Sequence, residues 1–594
     1  MFFSKDVVFF HAPSVYDFRQ HKAASGPIAD VIPSSTVFDM YPMGLTSIAE
    51  YMEDRGCRVQ LVNLASRMLN DSNFDVEKTI ARSRAILFGI DLHWLPHAQG
   101  SIEIAKIIKK YHPHKKVLIG GLTASYFHRQ LMDYPCVDYV LRGDSVEEPC
   151  YRLLQAVTQN LSLEEVPNLT YKDAEGRIKE NDLSHIPDNL DYVNIPGYRY
   201  VLKSAFKYGS LRNLMPFADW LNYPITPLLT SRGCSYNCAV CGGGKSAYRK
   251  ICRRQRPAFR SPERLIEDVK LISSFSRAPI FVVHDLRQGG EKYASQFLER
   301  LSRENVDNEF ILELFKPARE DFFTRVNEAV SRYSLQISME SPLERIRKRY
   351  GKFGSSSNEE IFNTLHAAFK KGCQKVDLFF IIGLPGQSYA DALECISYTR
   401  ELHLQLKKEL GRPVNVVPFA APYAPFLDPG SIVDGDTAGF GYTKFWNNLE
   451  DYRRALMAPS WKYMLNYETA WMSRDELVEA TYDVALGLND LKFEMGLLDL
   501  ESSRGVRTKL EKSKKMITAI DAAVESQLGH IPKEPIPPQK AKLILEKVKE
   551  VQEIEERESV LCGNEEMRWP IDKRFRNFFC LLRLFLKLGR ESLS

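Results

Sequence analysis

Cys234, Cys238 and Cys241 stand in the run CSYNCAVC, directly after PLLTSRG and directly before Gly242-Gly243-Gly244. Three thiolates with gaps of three and two residues on one loop can converge on three corners of a cubane iron–sulfur cluster, leaving its fourth iron open. Clusters with four cysteine ligands mainly carry electrons, whereas an open iron can hold a substrate or a cofactor, so this ligand count points to chemistry at the metal. The alternative is a zinc site that takes Cys252 as its fourth ligand, although zinc ribbons present two CxxC pairs and a second pair is absent. Cys57, Cys136, Cys150, Cys373, Cys395, Cys562 and Cys580 read as core thiols.

The chain that must position this loop has 594 residues, with 44% hydrophobic, 26% charged and 11% aromatic residues. These proportions are globular and exclude disordered, collagen-like and coiled-coil classes. Lys+Arg 80 against Asp+Glu 76 leaves a net charge of only +4, too balanced for a protein that coats nucleic acid, and no nucleic-acid partner is expected. No apolar run is long enough to span a membrane and MFFSKDVVFFHAPS is not a cleavable leader, so the expected location is the cytoplasm. There thiols stay reduced, and the 11 cysteines are not expected to form a disulfide framework.

Short apolar strands alternate with helical patterns along most of the sequence. Strands are expected at Asp6–Phe10, Cys57–Val62, Ala85–Ile90, Lys116–Ile119 and Asp138–Leu141, with helices at Leu45–Arg55 and Ser101–Tyr111 between them. That alternation implies right-handed crossovers and a parallel sheet, hence a doubly wound (Rossmann-like) α/β domain over residues 1–160. Residues 161–225 read as a linker with a β-hairpin turning at Lys172–Gly176. Six strand–helix units over residues 226–435 match a parallel barrel or partial barrel, a fold whose sites lie at the carboxyl ends of the strands. Residues 436–594 read as mostly helical with no convincing strand, and the aromatic run Tyr463–Trp471 reads as core rather than as a pocket lining. The tail from Arg574 to Arg590 is basic and apolar at helical spacing; it reads as a helix docking on the barrel, or alternatively as one lying at a membrane surface beside a lipid substrate.

The cysteine motif after the first strand of a six-unit barrel resembles that of the radical S-adenosylmethionine (SAM) superfamily, and the likeness spans about residues 226–435. The resemblance implies that Cys234, Cys238 and Cys241 hold a 4Fe-4S cluster whose fourth iron is chelated by SAM. One-electron reduction, from a partner such as a ferredoxin or flavodoxin, would then cleave SAM to methionine and a 5′-deoxyadenosyl radical. Val240 would be the apolar residue beside the adenine. IFVVHDLRQGGE offers Asp285 and Glu291 as counterparts of the acidic group that binds the SAM amino group. LQISMES resembles the family's Gly-x-Glu-Ser segment, with Glu340 as a SAM contact, and LFFIIGLPGQS resembles the Gly-Leu-Pro-Gly segment, Gly383 to Gly386, that packs on adenine.

The turn Pro42-x-Gly44-Leu45, the pair Gly120-Gly121 and the corner Arg142-Gly143-Asp144 resemble the cobalamin-binding domain that precedes the barrel in the cobalamin-dependent radical SAM group. Small residues there let a long nucleotide tail lie close to the backbone. Many cobalamin proteins place Asp-x-His-x-x-Gly after the first strand; here that place reads His11-Ala12-Pro13-Ser14, and Asp91-Leu92-His93 has Pro96 where the glycine belongs. The expectation is cobalamin bound without a protein histidine on cobalt, with His93 and His97 as ordinary loop histidines. The group's usual chemistry is methylation of an unactivated carbon or of phosphinate phosphorus, so the implied activity is that of a cobalamin-dependent methyltransferase. The alternatives are a radical SAM rearrangement or oxidation without methyl transfer and, from another class, a non-catalytic zinc or iron–sulfur interaction protein. The sequence names no substrate, whether lipid, peptide or small metabolite, and no catalytic residue.

Overall fold

The computed structural model describes residues 5–548 apart from 22, 25–36, 196–197, 209–216, 218–219, 221–224, 349–350 and 423–424, together with 573–574, 579–580 and 582. Most of the basic apolar tail at 574–590 therefore lies outside the described residues.

The first unit is built on a seven-stranded sheet. Its strands are β1 (Lys5–His11), β2 (Val59–Asn63), β3 (Ala85–Asp91), β4 (Lys116–Gly120), β5 (Tyr139–Leu141), β6 (Leu169–Lys172) and β7 (Ile178–Glu180), in the order β2-β1-β3-β4-β5-β6-β7. The first five pair in parallel, because each is a short apolar run followed by an amphipathic helix that covers one face. The expected hairpin forms around Gly176 (φ +79), but it is more than a linker: β6 pairs antiparallel with β5 and extends the first sheet. Chain direction reverses at β1, between β2 and β3, which opens a crevice at the carboxyl edge of the sheet.

The second sheet comprises β8 (Thr226–Leu229), β11 (Ile280–Val283), β12 (Phe310–Leu314), β13 (Tyr333–Glu340), β14 (Val376–Ile382) and β15 (Val416–Pro422), all parallel and in chain order. It is the expected six-stranded partial barrel. The small strands β9 (Ser231–Arg232) and β10 (Ala258–Phe259) pair beside it. Burial alternates along its strands: Leu228 and Val282 are fully buried against the outer helices, whereas Pro227, Leu229, Phe281 and Val283 are half-buried and face inward.

Beyond residue 435 the helix Arg474–Glu494, started by a capping box between Ser473 and Glu476, packs on the barrel, and the helix Leu500–Leu528 packs on it in turn. The expectation of no strand here is corrected by the antiparallel pair β16 (Tyr442–Lys444) and β17 (Tyr467–Thr469). Tyr463, Met464 and Tyr467 from the aromatic run are core residues, each no more than 2% exposed. Val8 and Phe10 of the first unit, Leu228 and Ile280 of the barrel and Leu477 and Ile520 of the C-terminal helices belong to one continuous apolar core.

Candidate functional site

The cysteine loop leaves β9 through Gly233 (φ +89) and ends where the Lys245 N–H donates to the Tyr236 carbonyl at 2.8 Å, at the start of the helix Lys245–Cys252. Backbone N–H groups aim at two of the sulfurs, from Tyr236 to Cys234 Sγ (3.4 Å) and from Gly243 to Cys241 Sγ (3.3 Å). The Gln288 carboxamide oxygen accepts from the Ser235 N–H (2.9 Å) and hydroxyl (2.8 Å) and lies 3.4 Å from Cys234 Sγ, while its Nε2 is buried without a partner. Burial pushes the Cys238 thiol up to about 11 and the Cys241 thiol up to about 12.

A second loop closes over Cys238. At Gly351 (φ +127) a Cβ would fall 2.9 Å from Cys238 Sγ, so only glycine permits the approach. The buried Arg347 guanidinium holds this loop by donating to the carbonyls of Ser341 (2.9 Å), Pro342 (3.0 Å) and Ser356 (2.9 Å). Lys352, the next residue, lies 3.7 Å from the centre of the Phe315 ring, in the field of Glu313, Glu340, Cys238 and Cys241. Burial opposes its charge, but the carboxylates, Glu313 first and then Glu340, outweigh burial and raise its pKa. Glu340 ends β13 in a left-handed conformation (φ +70); burial pushes its carboxyl up to about 7, against Lys352 and Arg347, and Oε2 has no partner. His284, at the end of β11, is also left-handed (φ +72), with its N–H donating to Glu313 Oε2 at 2.6 Å and its Nδ1 3.1 Å from the Ser231 hydroxyl. Two non-glycine residues strained at the ends of β11 and β13, on either side of β12, mark a site whose surroundings fix its geometry.

The remaining expected contacts divide. Val240 is buried in the cysteine loop, and Gly383 (φ +91) and Gly386 (φ +82) form the turn after β14. The Gln387 carboxamide oxygen braces that turn by accepting the N–H of Gly383 (2.8 Å) and of Leu384 (3.1 Å). Asp285 and Glu291 are placed differently from each other. Asp285 is closed by Arg287 at 2.6 and 2.9 Å and accepts the Phe315 N–H at 2.9 Å, so its oxygens are satisfied in place. Glu291 is 64% exposed at the first turn of an outer helix, with Arg325 4.0 Å away. Lys352, His284, Glu313 and Gln288 had not been singled out; for Lys352 the available signal was a lysine between glycines in GKFG.

The donor set fits an iron–sulfur cluster. Three sulfurs share one loop, two receive N–H groups, and a buried carboxamide donor and a buried carboxylate oxygen beside them have no partner among the described residues. The zinc alternative fails at its fourth ligand: Cys252 is buried with Ala247 and Ile251 against Leu122 and Tyr126, away from the other three thiols. Among the described residues no three His, Cys, Asp or Glu side chains gather as a single metal ion requires.

Behind this site runs a cavity of about 760 Å³. Gly44, Gly120, Gly121 and Gly143, at the carboxyl edge of the first sheet, form one side, with His93 and Trp94; Leu229, Phe281, Val283, Ser338 and Phe379 of the barrel lumen form the other. At Gly121 (φ +121) a Cβ would fall 2.6 Å from the Leu92 carbonyl and 2.7 Å from His93, so only glycine fits there, whereas the space in front of Gly44 is open. Two buried ion pairs join the edge to the cysteine loop. Arg232 donates to Glu147 at 2.6 and 3.1 Å, and Arg254 pairs with Asp144.

Residues 30–149 match the model of the B12 binding domain, and residues 228–398 match that of the Radical SAM superfamily. The hopanoid C-3 methylase of Methylococcus capsulatus is 27% identical over 274 residues, covering 46% of this chain and 47% of the methylase, so the chain matches about half the length of that relative. An uncharacterised methyltransferase of Pyrococcus horikoshii is 24% identical over 373 residues, covering 61% of this chain and 74% of that one. Two solved structures share the fold at low identity. The radical SAM methyltransferase TsrM from Kitasatospora setae, with cobalamin and a 4Fe-4S cluster bound, has a TM-score of 0.56 at 13% identity, covering 86% of this chain and 100% of that one. The cobalamin-dependent radical SAM enzyme OxsB, with aqua-cobalamin and SAM bound, has a TM-score of 0.55 at 14% identity, covering 99% of this chain and 81% of that one.

Proposed function

We propose that this chain, which joins a B12 binding domain to a radical SAM domain, is a cobalamin-dependent methyltransferase that acts on an unactivated carbon of a largely apolar substrate. One observation carries the reading. A single cavity has the glycine edge of the first sheet on one side and the barrel lumen on the other, beside the loop that bears the three cysteines. When bound, the cluster supplies the electron that cleaves SAM, and cobalamin supplies the methyl-carrying metal. Cys234, Cys238 and Cys241 would hold the cluster, Lys352 would offer a cation to the SAM carboxylate, and Glu340 an acceptor to its amino group. Gly44, Gly120, Gly121 and Gly143 would let cobalamin lie against the backbone, and the buried Arg232–Glu147 and Arg254–Asp144 pairs would fix that edge relative to the cysteine loop.

Phe281, Val283, Phe379 and Leu229 make the lumen predominantly apolar, which suits a hydrocarbon skeleton, and the name of the methylase relative supports carbon methylation of such a molecule. A ferredoxin or flavodoxin would serve as reductant. No helix among the described residues is long and apolar enough to cross a membrane.

The test is anaerobic: protein reconstituted with iron, sulfide and cobalamin is given reductant, methyl-labelled SAM and an organic extract of cells. Formation of 5′-deoxyadenosine together with label in an extractable product supports the proposal. Deoxyadenosine without transferred label would leave a radical SAM enzyme of another outcome, and neither product would overturn both.

A further inference from the structure

Three imidazoles lie near the carboxyl edge of the first sheet, and the structure commits two of them. His11, fully buried, holds Asp91 through Nδ1 at 2.9 Å, and His97, also fully buried, bonds the Phe38 carbonyl through Nε2 at 2.9 Å. His93 differs. It follows β3 at the crevice where strand order reverses, it is half-buried on the cavity wall, and neither of its ring nitrogens has a hydrogen-bonding partner among the described residues.

The backbone at His93 is fixed. Its carbonyl accepts both the N–H (3.2 Å) and the hydroxyl (2.9 Å) of Thr123, Gly121 packs against its Cα, and the Trp94 ring meets the imidazole edge-on at 4.8 Å between centres. An imidazole on a fixed backbone, its ring nitrogens without partners among the described residues and facing the cavity proposed above to hold cobalamin, has the chemistry of a metal ligand. Burial pushes its pKa down to about 4, against Asp91 and helped by Arg232, so the ring is neutral near neutral pH and able to donate that lone pair.

We propose that His93 ligates the cobalt of bound cobalamin on the face turned toward the first sheet, leaving the opposite face to the barrel lumen. This rests on the cobalamin reading above and replaces the expectation, drawn from the missing Asp-x-His-x-x-Gly pattern, that no protein histidine reaches the metal. The pattern places a histidine after the first strand; here the first strand ends in His11, which is held by Asp91, and a histidine follows the third strand instead.

Electron paramagnetic resonance of the full-length protein loaded with cob(II)alamin tests this without any turnover. A single axial nitrogen splits each cobalt line into three when it is the common isotope and into two when it is the heavy one. Protein grown on histidine labelled with heavy nitrogen and loaded with unlabelled cobalamin should show two-fold splitting, and unlabelled protein three-fold. His93→Ala should retain cobalamin and lose the histidine-derived splitting. Three-fold splitting in the labelled protein would mean that cobalamin's own base ligates the metal, and absence of splitting would mean water or no ligand; either overturns the role of His93 while leaving the cobalamin reading intact. Failure of wild-type protein to retain any cobalamin would overturn both.

Discussion

At the scale of single residues the site rests on a cation placed among thiols and carboxylates. Lys352 reaches the cysteine loop because Gly351 can pass within contact of Cys238, and its charge persists because Glu313 and Glu340 outweigh the cost of burial. Lys352→Met should leave the cluster's iron content and visible absorbance intact while weakening SAM binding by roughly tenfold to a hundredfold, the range of one charge-assisted hydrogen bond of about 1.5–3 kcal/mol. Equilibrium dialysis of the reconstituted protein against labelled SAM reads this directly, and unchanged affinity would remove Lys352 from the SAM site. Alanine at Cys234, Cys238 or Cys241 should instead lower the iron content well below about four per chain and bring reductive SAM cleavage to background. Retained cleavage in the triple variant would reject these ligands.

Between elements, buried and half-buried charges connect the first sheet to the rest. Glu147 starts the helix Glu147–Gln159, and Arg232 belongs to β9, two residues before Cys234; both are almost fully buried, so removing one leaves the other unpaired. Arg232→Met should therefore cost about 3–5 kcal/mol in urea unfolding. Replacing both with apolar residues should recover much of that loss, and a single variant as stable as wild type would show that the pair does not tie the units together. A second contact is pH-dependent. Arg453 and Tyr134 hold the Glu450 carboxyl down to about 2, in a network that also reaches Arg454, and Tyr134 comes from the first unit. Because the folded pKa is depressed, this stabilisation is present above the ordinary value of 4.5 and is lost as pH falls toward about 2. Glu450→Gln should lower stability at neutral pH by on the order of 1 kcal/mol after solvent screening, read as a small drop in melting temperature, and the difference from wild type should shrink on acidification. A difference that grows in acid would contradict the assignment.

Across the whole molecule, legibility in the sequence followed locality. Asp6–Phe10 and Ala85–Ile90 declared themselves as strands because parallel strands buried on both faces are continuous apolar runs. The cysteine motif was legible for the same reason, since all three ligands share one loop. Residues 442–444 and 467–469 were missed as strands because each is three residues long and their pairing is set by packing against the barrel, not by alternation. Lys352, His284, Glu313 and Gln288 were missed because separate strand ends and loops bring them together, and no window of sequence contains the set. Asp285 looked available because its closure by Arg287, two residues later, depends on the tight turn Leu286–Gly289.

The proposed arrangement is one cavity that would hold cobalamin against the first sheet beside the loop that would hold the iron–sulfur cluster. Its most direct measurement is the magnetic interaction between cob(II)alamin and the reduced cluster in the same protein molecule. Protein loaded with both should show cobalt relaxation and line shape altered relative to cobalamin-only protein, and alanine at all three of Cys234, Cys238 and Cys241 should restore the isolated cobalt spectrum. A doubly loaded protein whose spectrum is the plain sum of two independent signals would contradict the account.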